Sequence, residues 1–489
     1  MNNLQGGVYM AKDNLSRSLS SRQMQMIALG GTIGVGLFMG SASTIKWTGP
    51  SVLLAYALAG LILYMVMRAL GEMLYVDPAT GSFAKYATEY LHPVVGYLTA
   101  WSNVFQYLVV GISEVIAVGT YLEFWFPTMP KWIAGVVVVV TLCVANLTSV
   151  KAYGELEFWF ALIKVLTIIM MIILGFFVIV FGVGNHGHPV GISNLWTNGG
   201  FFTGGFKGFV FALSIVVASY QGIEVIGITA GEAENPQENI VKAIRSIVGR
   251  ILIFYIGAIF VIVSIYPWDK LGTIGSPFVE TFSKVGITFA AEIINFVMLT
   301  AAMSGCNSGI FSSSRMLYTL GLENHLPKSF VKLSKHNVPY IPVIAISTGI
   351  LIGLILNYLL PVLLHTSSNI FVIVYSSSVL PGMVPWFVIL FSELRFRKIN
   401  KAKMKDHPFK MPFFPISNYL AIIALFIILI FMFLNPETTV SLLVGVVFLI
   451  VMTIIYFAKE RNKARVKFNN EFDEDELKFD NDDDSEDLD

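Results

Sequence analysis

Two glycine-broken stretches and a few ionisable residues carry the chemistry this chain can do. The first break reads Gly30-Gly31-Thr32-Ile33-Gly34-Val35-Gly36, and the second Ser219-Tyr220-Gln221-Gly222-Ile223-Glu224, about 190 residues later. Each interrupts a long apolar run. An interrupted helix ends in free carbonyls at a negative dipole end and restarts with free N–H groups at a positive one. Two such breaks side by side offer donors to a carboxylate and acceptors to an ammonium, the two groups of an α-amino acid. N–H groups near Ile33, Gly34, Val35 and Gly36 suit the carboxylate, as helix N-termini suit anions. Carbonyls near Gly30 to Ile33 and Ala218 to Tyr220, Ser219 among them, suit the ammonium. Close helix packing is the other use of Gly-x-Gly, but breaks at matching places in two halves point to a transporter's substrate site.

Lys164 sits inside an apolar run, about ten residues or roughly 15 Å of helix from its start. A lysine at that depth is costly and marks function by default. It can exchange a proton, stand where a fixed cation such as Na⁺ would, or serve structure alone. Glu224 follows Gly222 and Ile223 and either braces the unwound backbone or shares protons. Glu114, in another apolar run, either pairs structurally or joins the proton handling. Tyr220 stands at the break, where it can close over a ligand or pack in the core. Glu232 and Glu234, in Gly231-Glu232-Ala233-Glu234-Asn235-Pro236, suit a gate, a helix end or a solvated loop. The sequence holds no phosphate loop, metal-spaced His/Cys set or nucleophile elbow, so neither an enzyme nor a cofactor or metal is expected. Cys143 and Cys306 both lie in apolar segments, which argues against a disulfide framework.

These residues need membrane-spanning helices to hold them. The chain has 489 residues, 55% hydrophobic and 13% charged, against roughly 25% charged in soluble proteins; its mean hydropathy is +0.71. A span needs about 20 apolar residues, and twelve are expected near 24–45, 51–75, 95–121, 132–150, 156–182, 206–231, 247–266, 287–313, 341–360, 364–390, 417–434 and 440–457. No cleavable leader is expected from the polar start. With the N-terminus in the cytoplasm, 26 of the 32 Lys and Arg fall in cytoplasmic segments, as the positive-inside rule requires. The external segments hold Lys46, Lys131, Lys207, Lys270 and Lys284. The predicted organisation is a cytoplasmic segment 1–19, a membrane domain 20–460, and an acidic tail 461–489 that self-repels and should be disordered. The basic run Arg395 to Lys410 reads as a cytoplasmic loop that can touch anionic lipid and gives no reason to expect nucleic acid.

At these residues the chain resembles the amino acid transporter family of bacterial permeases, within the amino acid–polyamine–organocation superfamily. The matching motifs are IALGGTIGVGLFMGS (27–41), GPSVLLAYALAG (49–60), MRALGEM (67–73), GELEFWFALIKV (154–165), YQGIEVIGITAGEAENP (220–236) and NSGIFSSSRMLY (307–318). The resemblance covers roughly residues 15 to 460. It implies an all-α membrane protein of LeuT-like fold. Two inverted five-helix repeats, about 20–182 and 206–390, would have broken first and sixth helices, with extra helices at about 417–457. It also implies proton-coupled uptake, with Lys164 where sodium-coupled relatives hold a sodium ion. Substrate contacts map onto Thr32 to Gly36 and onto Ala218, Ser219, Tyr220, Gln221, Gly222, Ile223 and Glu224. Selectivity would come from spans 3, 6, 8 and 10, with Ser102, Gln106 and Ile112 in the third and Met303, Ser304 and Asn307 in the eighth. The segments 264–282 and 199–205 look closest to permeases of proline or of small neutral amino acids.

The expected function is therefore proton-coupled import of small neutral amino acids (alanine, serine, glycine, D-forms included) by alternating access. Lys164, Glu224 and Glu114 are the expected proton-coupling residues. The chain would sit in a bacterial cytoplasmic membrane with both termini inside, its partners being amino acid, protons and lipid. Alternatives are a permease of proline or of other neutral or aromatic amino acids, an exchanger, or a sensor that binds without transport.

Overall fold

The computed structural model describes residues 18–78, 81–271, 277–284, 288–364 and 370–483. Most of the expected N-terminal segment, residues 272–276 of the stretch 264–282, and the end of the acidic tail lie outside these. Among the described residues the chain is helical, with a single isolated parallel bridge between Leu19 and Ala233.

The first expected span is present in pieces. α1 (Ser21–Thr32) starts from a capping box, in which Gln23 Oε1 accepts the Ser20 N–H at 3.0 Å and Ser20 Oγ accepts the Gln23 N–H. The helix stops where Ile33 turns extended, and α2 (Val35–Phe38) and α3 (Gly40–Thr48) follow. The spans completing the first set of five are α4 (Val52–Val76), α6 (Pro93–Glu123), α7 (Lys131–Thr148) and α8 (Val150–Phe181), with a short α5 (Ser82–Tyr90) between α4 and α6. No helix was expected at α5; it forms because Phe83, Ala84, Tyr86, Ala87 and Tyr90 give it one buried face.

The second set repeats this order. α9 (Gly205–Tyr220) breaks and resumes as α10 (Val225–Thr229). Then come α11 (Pro236–Ile265), a short α12 (Pro277–Lys284), α13 (Thr288–Leu322), α14 (Tyr340–Leu364) and the pair α15 (Ile370–Ser377) and α16 (Val379–Ile399). After a turn of helix, α17 (Lys401–Met404), come α18 (Ile416–Leu434) and α19 (Pro436–Asp483). Eleven helical stretches among the described residues are long and apolar enough to cross a membrane. The twelfth expected span, 24–45, is the one broken into α1–α3, so no single membrane-length helix covers it. The chain divides after Gly445, and the second unit, which begins at Val446 and holds the remainder of α19, stands by itself. The backbone of 461–483 is helical where charge alone predicts disorder; its residues include many good helix formers (Glu, Lys, Arg).

α1 packs against α8, α11 and α13, α4 against α9 and α11, and α6 against α13, so both breaks sit among helices. At one end the bundle is tied by polar groups. Arg315 of α13 donates from Nε to Glu232 Oε1 at 2.9 Å, both side chains being buried. Leu19 pairs with the same segment, its N–H on Glu232 O at 3.0 Å and its carbonyl accepting the Glu234 N–H at 3.0 Å. Glu232 is thus an interior ion-pair partner, while Glu234 is exposed. The first part of the basic run also differs from the loop expected. Residues 395–399 belong to α16, and Arg397 turns inward to Glu72 Oε2 at 2.8 Å and Glu393 Oε1 at 3.1 Å, because two buried carboxylates need a cation more than lipid does.

Removing one member of a buried ion pair strands the other. Arg315→Met is expected to destabilise the protein by about 3–5 kcal/mol, read as a lowered melting temperature in detergent. The double variant Arg315→Met/Glu232→Gln should recover most of that loss, and equal melting of single and double variants would contradict the pairing.

Candidate functional site

The two breaks lie back to back. Gly222 holds a φ of +110°, and a Cβ there would run into the carbonyl oxygen of Gly31. Glycine is therefore required twice over at this point, once for the left-handed backbone and once for the close approach.

The carbonyls released by the breaks are not bare. Lys164 of α8, fully buried, donates to Gly30 O, to Ile33 O at 3.1 Å and to Ser304 Oγ at 3.0 Å. An ammonium has three donors, and all three are used. Tyr255 of α11 lies within hydrogen-bond distance of Thr32 O (2.6 Å) and of Ser219 O (2.8 Å), one carbonyl from each break. Ala218 O accepts the Gln221 N–H at 3.1 Å. Most of the carbonyls expected to meet a ligand's ammonium are thus already held by protein donors. The sequence could not reveal this, since Tyr255 is a tyrosine in an apolar run with no spacing signal.

Glu224 braces the second break. Its Oε2 accepts the Gly222 N–H at 3.0 Å and the Trp386 indole at 3.4 Å, and its Oε1 accepts Gln106 Nε2 at 3.1 Å. Ser219 Oγ reaches Gly36 O and Ile215 O, both at 3.0 Å, tying the second break to the start of α2. Glu114 lies under the first break, where a Cβ on Gly34 would come within 2.6 Å of its Oε1. Tyr220 does not point at the breaks. It is buried against Tyr255, with ring centroids 4.7 Å apart, and donates to Tyr56 O at 3.1 Å.

Between the breaks is a cavity of about 30 Å³. Of the residues expected in the site, Thr32, Gly34, Gly36, Gln106, Glu114, Ala218 and Ser219 line it. Ile33, Val35, Tyr220, Gly222, Ile223, Glu224 and Ser304 do not, though Glu224 holds Gln106 and Gly222 meets Gly31. Gly31 and Gln221, within the break segments, also line it, and sequence reading missed Tyr107, Val110, Gly305 and Tyr375. Gln106 Oε1, Gln221 Oε1 and the Tyr107 hydroxyl have no hydrogen-bond partner among the described residues. Ile112 packs toward Gly353 of α14 instead. Asn307 joins the Lys164 neighbourhood by donating to Glu157 Oε1 at 2.7 Å. Glu157 was also missed, although its i, i+7 spacing to Lys164 placed it on the same helix face. No group of three or more His, Cys, Asp or Glu able to hold a metal occurs among the described residues, and both cysteines are free thiols.

Gly222→Ala should cost at least about 1–2 kcal/mol for the left-handed residue alone, and its collision with Gly31 should abolish uptake. A variant with wild-type melting temperature and uptake would show that the breaks do not meet as described.

Comparisons with known proteins show the family of the chain. Residues 23–469 match the amino acid permease family. The probable threonine/serine transporter YbxG of Bacillus subtilis (strain 168) is 61% identical, over 92% of this chain and 96% of its own length. The amino-acid permease AapA of the same organism is 41% identical over 94% and 99%. The aromatic amino acid transport protein AroP of Escherichia coli O6:H1 is 38% identical over 93% and 98%. Among solved structures, the Eremococcus coleocola manganese transporter superposes with a TM-score of 0.60 over 93% of this chain and 99% of that one. At 12% identity it speaks for the LeuT-like fold alone. With both breaks, their buried lysine and these relatives in agreement, the chain belongs to the amino acid permease family of multi-pass membrane transporters.

Proposed function

We propose that this permease is a proton-coupled importer of small neutral amino acids, serine and threonine foremost. It would work by alternating access in a bacterial cytoplasmic membrane with both termini inside. The observation that carries the coupling is the triple hydrogen bonding of Lys164 to Gly30 O, Ile33 O and Ser304 Oγ. A protonated lysine satisfies three acceptors. A neutral amine keeps two hydrogens and must release one acceptor. Two of the three acceptors are backbone at the first break, so loss of the charge weakens the amine's hold on that backbone. The same break supplies the N–H groups of Gly34 to Gly36 for a substrate carboxylate. Proton and substrate thus bear on one short segment, which gives each a differential affinity for the two states of the carrier.

The substrate class rests on the relatives and on the lining. The name of the relative at 61% identity gives threonine and serine. The cavity between the breaks is small and presents Thr32, Gln106 and Ser219. Gln106 Oε1 lies there without a partner among the described residues, an acceptor suited to a substrate hydroxyl. Alanine and glycine have no hydroxyl to offer it.

Purified protein in proteoliposomes is expected to accumulate labelled serine and threonine when the outside is acidic, and to lose that accumulation with a protonophore. Lys164→Ala should remove the proton-driven part far more than the counterflow part. Counterflow indifferent to the gradient in the wild type would mean an exchanger, and binding without uptake a sensor. For orientation, a membrane-impermeant thiol reagent should label Lys207→Cys in intact cells and Lys398→Cys only after permeabilisation; the reverse order would invert the topology.

A further inference from the structure

Lys164 is not the only buried ionisable group on its face of α8. Glu157, fully buried, lies seven residues toward Val150, ~10 Å along the helix. Its Oε1 accepts Asn307 Nδ2 at 2.7 Å, and its Oε2 accepts Ser304 Oγ at 2.7 Å. Lys164 Nζ donates to that same Ser304 Oγ at 3.0 Å. Asn146 Nδ2 in turn donates to Asn307 Oδ1 at 2.6 Å, which fixes the Asn307 amide with its NH₂ toward the carboxylate. A single hydroxyl therefore joins an amine to a carboxylate, and its polarity is set. An ionised carboxylate only accepts, so Ser304 donates to Glu157 and accepts from Lys164. Other titratable or charged groups act on this pair or its neighbours: Tyr153 of α8, Cys306 and Arg315 of α13, Glu232 after α10, and Glu114 of α6.

Resting on the proton-coupled reading above, we propose that Glu157 is the internal proton acceptor of Lys164, reached through the Ser304 hydroxyl. In the step, a Lys164 N–H bond breaks as a new O–H bond forms on Ser304. The original Ser304 O–H bond breaks as one forms on Glu157 Oε2. Lys164 ends as a neutral amine, Glu157 as a carboxylic acid, and Ser304 with its composition unchanged. The pair carries no net charge before or after. If Lys164 instead gave its proton directly to water, Glu157 would be left a buried anion without its cation, which is strongly unfavourable. Transfer through Ser304 removes both charges together, so the site can rearrange while uncharged. Glu157 also lies nearer the start of α8, the cytoplasmic end in the proposed orientation, so the proton is moved toward that side and departs only once the rearranged site admits water to solvate the carboxylate it leaves.

The test compares proton-driven accumulation of labelled serine with gradient-free counterflow, in proteoliposomes and across a series of internal pH values. Glu157→Gln is expected to lower accumulation relative to counterflow by roughly 10²-fold, the size of a lost acid–base partner, and to flatten the dependence on internal pH. Glu157→Asp should restore part of both. Ser304→Ala should reproduce the Gln phenotype, and Ser304→Thr, which keeps the hydroxyl, should retain coupling; this pair carries the test if Glu157→Gln does not fold. Wild-type accumulation and pH profile in Glu157→Gln, or equal coupling in Ser304→Ala and Ser304→Thr, would overturn the assignment and leave the coupling role of Lys164 standing. A wild type whose accumulation ignores the gradient would sink the coupled reading itself.

Discussion

A backbone that stops being helical inside a membrane must find partners for every group it frees. Hydrocarbon offers none, so irregular backbone survives there only where protein or a lined cavity supplies them. Both breaks of this permease meet that demand chiefly with side chains from helices that are themselves unbroken. Lys164 comes from α8, Tyr255 from α11, and Gln106, which holds Glu224, from α6. The continuous helices thus act as a frame that keeps two short unwound segments in contact. The small residues at the crossing are a consequence of the same demand, since Gly31 and Gly222 meet without side chains between them.

The frame also explains why buried charge is tolerated. Lys164 with Glu157, Arg315 with Glu232, and Arg397 with Glu72 and Glu393 are each cation and carboxylate within one cluster, completed by serine, asparagine or backbone groups. Such clusters contribute little net stability compared with apolar packing. What they contribute is specific geometry. The Lys164 cluster differs from the other two because its cation is a lysine, which can lose a proton, where an arginine effectively cannot.

Much of this was legible in the sequence. Apolar length located the spans, and glycine spacing located both breaks. Depth within a span singled out Lys164, and the quoted motifs carried the family. What stayed hidden has a common cause. The identity of the groups facing the breaks depends on which faces of α11, α13 and α15 turn inward, and single residues such as Tyr255 and Tyr375 do not announce that. Tyr220, open in the sequence between closing over a ligand and packing in the core, does the second. Its position in the chain is at the break, but the last turn of α9 carries its ring back into the aromatic cluster with Tyr56 and Tyr255. Glu157 was within reach of helical spacing alone. Arg397 was misjudged because a basic run reads as a solvated loop until the carboxylates beneath it are seen.

The Tyr255 hydroxyl lies 2.6 Å from Thr32 O and 2.8 Å from Ser219 O, yet it owns one hydrogen. At any instant it can serve one break well and the other only in part. A small shift of either unwound segment therefore hands the hydrogen to its neighbour. The two halves of the molecule are joined there by one shared, indivisible hydrogen.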